Sequence, residues 1–255
     1  MFFDFLKYYL KAGNAHSIHS PFIFELYTKV YRDFSPDPDF ELIEQVRKEL
    51  RSSSEVIQIT DLGAGSRQNA ALERTVGDIA KKSLTKPFWC RFFYKMIRHY
   101  GYTNLVELGT SLGVTAAYLA RAAPQGKVYT VEGCPNTLRV ATKTFERLGI
   151  TNVHTVNGSI DHCLEELLEE TGPPDFVLFD ANHRYLPTLS YFELCVAKAS
   201  ESSVFVFDDI YWSAEMKKAW QQISTDPRVS LSVDFFHAGL VFFRKGVEKQ
   251  HFVLK

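Results

Sequence analysis

The run Asn104-Leu-Val-Glu-Leu-Gly109-Thr-Ser-Leu-Gly113 constrains the possible folds of this chain more than any other stretch. A short apolar segment ends in an acid, turns through two glycines and opens the helical pattern Val114-Thr-Ala-Ala-Tyr-Leu-Ala120. Glycine lets backbone approach a ligand closely, and a helix start offers unpaired N–H groups and a positive dipole end. Further on, Lys127-Val-Tyr-Thr-Val-Glu132 reads as a second strand ending in another acid. An acid there can accept hydrogen bonds from both hydroxyls of a ribose. The pair predicts a βαβ unit that holds a nucleoside cofactor.

From residue 104 the alternation is regular. Strands are expected at 104–108, 127–132, 152–156, 175–180 and 203–208, with helices near 113–123, 135–148, 160–171, 187–199 and 213–224. The tail departs from this rhythm. Val229-Ser-Leu-Ser-Val-Asp-Phe-Phe, then His237-Ala-Gly, then Leu240-Val-Phe-Phe-Arg reads as an antiparallel hairpin, followed by Phe252-Val-Leu. The first hundred residues look mostly helical, with Phe2, Phe5, Leu6 and Tyr9 on one face of a first helix and Pro21 opening another. Val56-Ile-Gln-Ile-Thr-Asp61-Leu-Gly-Ala-Gly65 imitates a cofactor turn, but no strand ending in an acid follows it until Glu107. It is read as a tight loop near the site.

Composition narrows the classes. A net charge of −1 leaves no electrostatic footprint for DNA or an anionic membrane. Cys90, Cys134, Cys163 and Cys195 lack the close pairs of a zinc or redox site, so reduced thiols in a cytoplasmic protein are expected. No apolar stretch approaches the roughly 20 residues that span a bilayer. The glycine spacing lacks the third glycine of a nicotinamide fingerprint, and no Gly-Lys-Ser/Thr follows it. Glu107 would also crowd a negative pyrophosphate, whereas a carboxylate suits a positively charged or amino-bearing ligand.

On these residues the chain resembles the class I S-adenosylmethionine-dependent methyltransferases, over roughly residues 100–245, whose first motif is this acid-x-Gly-x-x-x-Gly turn. The resemblance implies an α/β fold: a doubly wound Rossmann-like sheet of five parallel strands plus a C-terminal antiparallel hairpin. Residues 1–100 would then be a helical extension, a lid or a homodimer contact, and 101–255 the cofactor-binding domain. It also implies site residues. Glu107, Gly109, Ser111, Gly113 and Thr115 would hold the amino-acid end of S-adenosylmethionine, Glu132 its ribose, and Gly158, Ser159, Ile160 and Asp161 its adenine.

The fourth and fifth strands end in Val177-Leu-Phe-Asp180-Ala-Asn-His183 and Val204-Phe-Val-Phe-Asp208-Asp209. This is similar to the metal-dependent branch that includes catechol and caffeoyl-coenzyme A O-methyltransferases, where such acids hold a divalent ion. Asp180 and Asp208 match that pattern, and Asp209 stands where the family has asparagine. Three carboxylates suit a hard cation such as Mg²⁺. A cation lowers the pKa of a bound hydroxyl and aims it along the axis of methyl displacement. His183 stands where the catechol enzymes carry a catalytic lysine, and its ordinary pKa near 6.5 suits a general base. Other readings stay open: Asp180 contacting only the cofactor, Asp208 and Asp209 capping the helix near Ser213, and His183 as a loop histidine.

The acceptor implied is a small hydroxyl-bearing molecule. Asp-Ala-Asn-His is not the Asn/Asp-Pro-Pro-Tyr of enzymes that methylate base nitrogens, and RNA or protein remains the second choice. A non-catalytic cofactor-binding module is the third. Tyr211 and Trp212 are candidate pocket walls, and His16 and His19 candidates for the pocket mouth. The basic stretch Lys81–Arg98, interleaved with Phe88, Trp89, Phe92 and Phe93, reads as an amphipathic helix with a solvated face.

Overall fold

A computed structural model describes residues 2–60 and 72–255. The Asp61–Gly65 loop lies outside the described residues. The chain divides into two compact units, one of Val30–Cys163 and one that joins Met1–Lys29 to Leu164–Lys255. The N-terminal segment supplies helix α1 (Phe2–Lys11) and α2 (Pro21–Glu25), which runs on as a π-helical turn, Leu26–Tyr31. Ser20 starts α2 as its cap, accepting from the Ile23 N–H, with Pro21 in the first turn.

The Val30–Cys163 unit begins with α3 (Pro38–Ser52) and a two-stranded antiparallel ribbon, β1 (Val56–Ile59) with β2 (Leu72–Thr75). The first hundred residues are therefore not wholly helical. β-Branched side chains at Val56, Ile57, Ile59 and Thr75 favour the pleated ribbon over a helix. Next come α4 (Val76–Lys82) and α5 (Pro87–Tyr100), the latter opened by Pro87 and closed by Gly101 at φ 69°. Trp89, Phe92, Phe93, Met96 and Ile97 of α5 are buried. Its lysine and arginine residues are taken up locally: Lys95 pairs with Asp33 at 2.9 Å and Arg91 lies over the Phe40 ring. Then the expected alternation appears: β3 (Asn104–Leu108), α6 (Val114–Ala122), β4 (Lys127–Glu132), α7 (Pro135–Arg147) and β5 (Val153–Asn157). The three strands pair in parallel, with β4 between β3 and β5. All of β3 past Asn104 is buried, as a parallel strand covered on both faces requires.

After α8 (Ile160–Thr171), the second unit carries β6 (Phe176–Phe179), α9 (Tyr185–Val196), β7 (Val204–Asp208) and α10 (Ala214–Thr225). β6 and β7 are parallel, with Phe179 opposite Phe207. β8 (Leu231–Asp234) and β9 (Ala238–Phe242) form the expected hairpin, and β9 lies antiparallel to β7. A further strand, β10 (Gln250–Val253), pairs in parallel with β8, so Phe252-Val continues the sheet beyond the hairpin. Gly239 of β9 sits where a Cβ would come within 2.6 Å of the Trp220 ring, so glycine is what lets that indole of α10 pack there. Among the described residues no helix is long and apolar enough to cross a membrane.

Candidate functional site

The glycine turn between β3 and α6 is built on the end of β4. The Gly109 and Thr110 N–H groups both donate to the Val131 carbonyl, at 3.0 and 3.1 Å. Gly109 (φ 106°), Ser111 (φ 48°) and Gly113 (φ 79°) are left-handed. At Gly113 any Cβ would also stand 2.9 Å from Ala141 and Phe145, so backbone and packing both demand glycine there. Leu112 anchors the turn from below in a cluster with Ile57, Val76, Ile79, Ala80 and Val140. The β1 ribbon therefore supports the turn, a role that its sequence did not announce.

Glu132 ties the loops together. Its Oε2 accepts from the Ser111 N–H and its Oε1 from the Cys134 N–H, each at 2.9 Å. Its own carbonyl accepts from the Gly158 N–H and from Asn157 Nδ2. One residue at the end of β4 thus organises the loops after β3 and β5. Burial pushes its carboxyl above the usual range, although three backbone N–H bonds oppose that shift. Ser159 and Ile160 are half-buried at the start of α8, and exposed Asp161 accepts from Ser159 Oγ at 3.3 Å.

Glu107 is fully buried. Its Oε2 accepts from Thr130 Oγ1 in the register partner on β4, while Oε1 has no hydrogen-bond partner. Burial, with the charge of Glu132 adding to it, pushes the carboxyl up to about 8. Thr115 is turned inward: its hydroxyl donates to Thr85 Oγ1 at 3.2 Å. The buried Arg47 guanidinium in turn donates to the Thr85 carbonyl and to Cys90 Sγ. Sequence reasoning missed Thr85, Thr130 and Arg47. Thr130 could have been found from the strand register; Arg47 and Thr85 are distant in sequence and carried no motif.

The second candidate cluster lies at the ends of β6 and β7. His183 Nε2 stands 3.6 Å from Asp180 Oδ1, and Nδ1 is buried without a hydrogen-bond partner. Burial lowers the imidazole pKa below its ordinary 6.5, against the pull of the Asp209 charge. Asn182 donates to the Tyr191 hydroxyl at 3.0 Å, while its Oδ1 has no partner. Asn182 (φ 66°), His183 (φ 33°) and Asp209 (φ 53°) all hold left-handed backbone, at a typical cost of about 1–3 kcal/mol each. Such strain concentrates where geometry serves a ligand or a reaction.

Among the described residues no group of three His, Cys, Asp or Glu side chains, Asp180, Asp208 and Asp209 included, is gathered closely enough to hold a metal ion. The Asp209 N–H is instead bonded to the His237 carbonyl at 2.7 Å, which turns that residue at the strand end. Nor do the acids cap α10, because Ser213 does so by accepting from the Met216 N–H. Tyr211 serves structure: its hydroxyl donates to buried Asp234 at 2.8 Å and its ring stacks on Phe236. Trp212 is 61% exposed, and His16 and His19 are both exposed.

Comparison with known proteins agrees with this geometry. Residues 106–210 match the family model Methyltransf_24, described as a methyltransferase domain. A catechol O-methyltransferase of Niastella koreensis is 32% identical over 129 residues, 49% of this chain and 56% of that protein. One of Mycobacterium tuberculosis is 32% identical over 109 residues, 42% of this chain and 48% of that protein. The chain thus spans about half the length of these curated relatives. A crystal structure of a Podospora anserina methyltransferase bound to SAH superposes with a TM-score of 0.64 at 14% identity, over 89% of this chain and 97% of that one. At that identity the likeness establishes the fold.

Proposed function

We propose that this chain is a class I S-adenosylmethionine-dependent methyltransferase and moves the cofactor's methyl group to the oxygen of a small hydroxyl-bearing acceptor. The observation that carries the reading is the turn Glu107–Gly113 lashed to the Glu132 carboxylate inside the family-matched segment. Its buried, unpartnered Glu107 oxygen fits an amino-bearing ligand. Glu132 holds the ribose, Ser111 and the first N–H groups of α6 meet the carboxylate, and Ile160 and Asp161 flank adenine. Thr115 acts from beneath, through Thr85. Methyl transfer is assigned to residues 101–255, with residues 30–100 lending the glycine turn its support.

Bound S-adenosylmethionine supplies an electrophilic methyl group. The chain's own part is to deliver a deprotonated oxygen to it. Burial keeps His183 neutral near pH 7, and its unpartnered Nδ1 is free to take the hydroxyl proton. The imidazolium so formed is stabilised by Asp180 beside Nε2 and by the charge of Asp209. No step is assigned to a divalent ion.

The test is to incubate purified protein with S-adenosylmethionine and, separately, catechol-type phenols, total RNA and a peptide pool, and to weigh the products. A methylated phenol whose formation needs His183 is expected. Cofactor consumption with RNA or peptide alone would replace the small acceptor by a macromolecule.

A further inference from the structure

We propose that Glu107 is a neutral carboxylic acid before the cofactor binds and exchanges its proton for the ammonium group at the cofactor's amino-acid end. This rests on the reading above, that S-adenosylmethionine lies over the Glu107 turn.

The surroundings of Glu107 leave it little means to carry a charge. The side chain is fully buried, and its one bonded oxygen accepts from a single neutral hydroxyl, that of Thr130. Thr130 is in turn 2.6 Å from Thr110 Oγ1. β4 faces Glu107 with its register partner Thr130, and Glu132 bears on it from the end of the same strand. The charge that bears on Glu107 is that of Glu132, and it has the same sign. A dry carboxylate beside a like charge is strongly disfavoured and picks up a proton instead. That agrees with a carboxyl pushed up to about 8.

Glu132, also pushed up by burial, differs because it already accepts backbone N–H bonds on both oxygens. Two neighbouring acids are therefore set for different partners. One is arranged for neutral ribose hydroxyls. The other lacks only a cation, with Oε1 still unpartnered. When an ammonium group arrives, its N–H donates to Oε1 and the acid's O–H proton leaves to solvent. One proton departs per cofactor bound, and no other bond changes.

The experiment is isothermal titration at pH 7 in phosphate and in Tris, whose ionisation enthalpies differ, so the difference in heat counts protons. The probes are S-adenosylhomocysteine and 5′-methylthioadenosine; the second keeps the adenosine and thioether but lacks the ammonium. S-adenosylhomocysteine is expected to release close to one proton (about 0.9 for a carboxyl near 8) and methylthioadenosine none. Glu107→Gln, with its fold checked by thermal melting at pH 6, is expected to release none with either ligand. Its affinity for S-adenosylhomocysteine should stay flat from pH 6 to 7, where the wild type tightens close to tenfold per unit. Tight binding of both ligands without proton release would overturn this inference alone, as would unchanged release from Glu107→Gln. If neither ligand bound, the cofactor reading would fall and this inference with it.

Discussion

The ends of β3 and β4 and the ends of β6 and β7 present acids in similar patterns, yet the two regions treat their polar atoms differently. Glu132 has both oxygens bonded to backbone, and its carbonyl accepts from the loop after β5. Left-handed backbone in that region falls mainly on glycine, with Ser111 the exception. At the other region the left-handed residues are Asn182, His183 and Asp209, and both Asn182 Oδ1 and His183 Nδ1 lack partners. Binding a cofactor asks for a preformed cradle whose bonds are already made. Chemistry asks for groups held ready but unsatisfied, and the protein bears their cost in the apo state. The first region also holds one atom in reserve, Glu107 Oε1, so the proposed division is between a bonded turn that awaits an ammonium group and a histidine that awaits a proton.

The largest expected effect tests the cradle. Glu132→Ala removes an acceptor of two backbone bonds and of the ribose, each bond to an ionised group being worth about 1.5–3 kcal/mol. Cofactor affinity measured by calorimetry should fall about 10²–10⁴-fold; retained affinity would break the comparison at its firmer side. Next is His183→Gln, which should slow single-turnover methyl transfer about 10²–10⁴-fold while leaving cofactor affinity within about twofold. Equal losses in rate and affinity would mean that the two regions are not divided in this way.

Glu107→Gln sharpens the comparison through stability. The native carboxyl is raised to about 8 from an ordinary 4.5. The stability it contributes is therefore complete below about pH 4.5 and is lost as pH rises through 8. Urea melts of the wild type should weaken by up to about 3–4 kcal/mol between pH 5 and 8, while the variant's change stays much smaller. The mildest effect is on the pH profile. Because burial lowers the His183 pKa, the acid limb of kcat/KM should have its midpoint below 6.5, and it should vanish in His183→Gln. A midpoint above 6.5 would mean that the neighbouring acids, Asp180 and Asp209, outweigh burial.

Much of this was legible in the chain. β3 and β4 end at Leu108 and Glu132, within a residue of the acids that close their mainly apolar runs, because a strand inside a parallel sheet calls for mostly apolar side chains. The glycines at 109 and 113 were legible for the same kind of reason: few residues besides glycine tolerate those backbone angles. Val56–Ile59 was harder to place. It looked like the start of a second cofactor motif and forms an antiparallel ribbon strand packed against Leu112 of the glycine turn, since short apolar runs do not say which strand they will join. The sequence placed Asp208 and Asp209 at the end of β7 but not the turn between them, which the bond from the Asp209 N–H to the His237 carbonyl sets.

Local pattern is thus enough to place strands, glycine turns and the acids that end them, because burial period and backbone sterics act within a few residues. Which acid is bonded and which is left alone depends on neighbours far along the chain. Thr130 reaches Glu107 across strand register, Ser111 meets Glu132 across the turn, and Asp234 holds Tyr211 from a later strand. Hydrogen bonding and desolvation are properties of packed surroundings, so the charge state of Glu107 and the readiness of His183 belong to the fold rather than to any segment of the sequence.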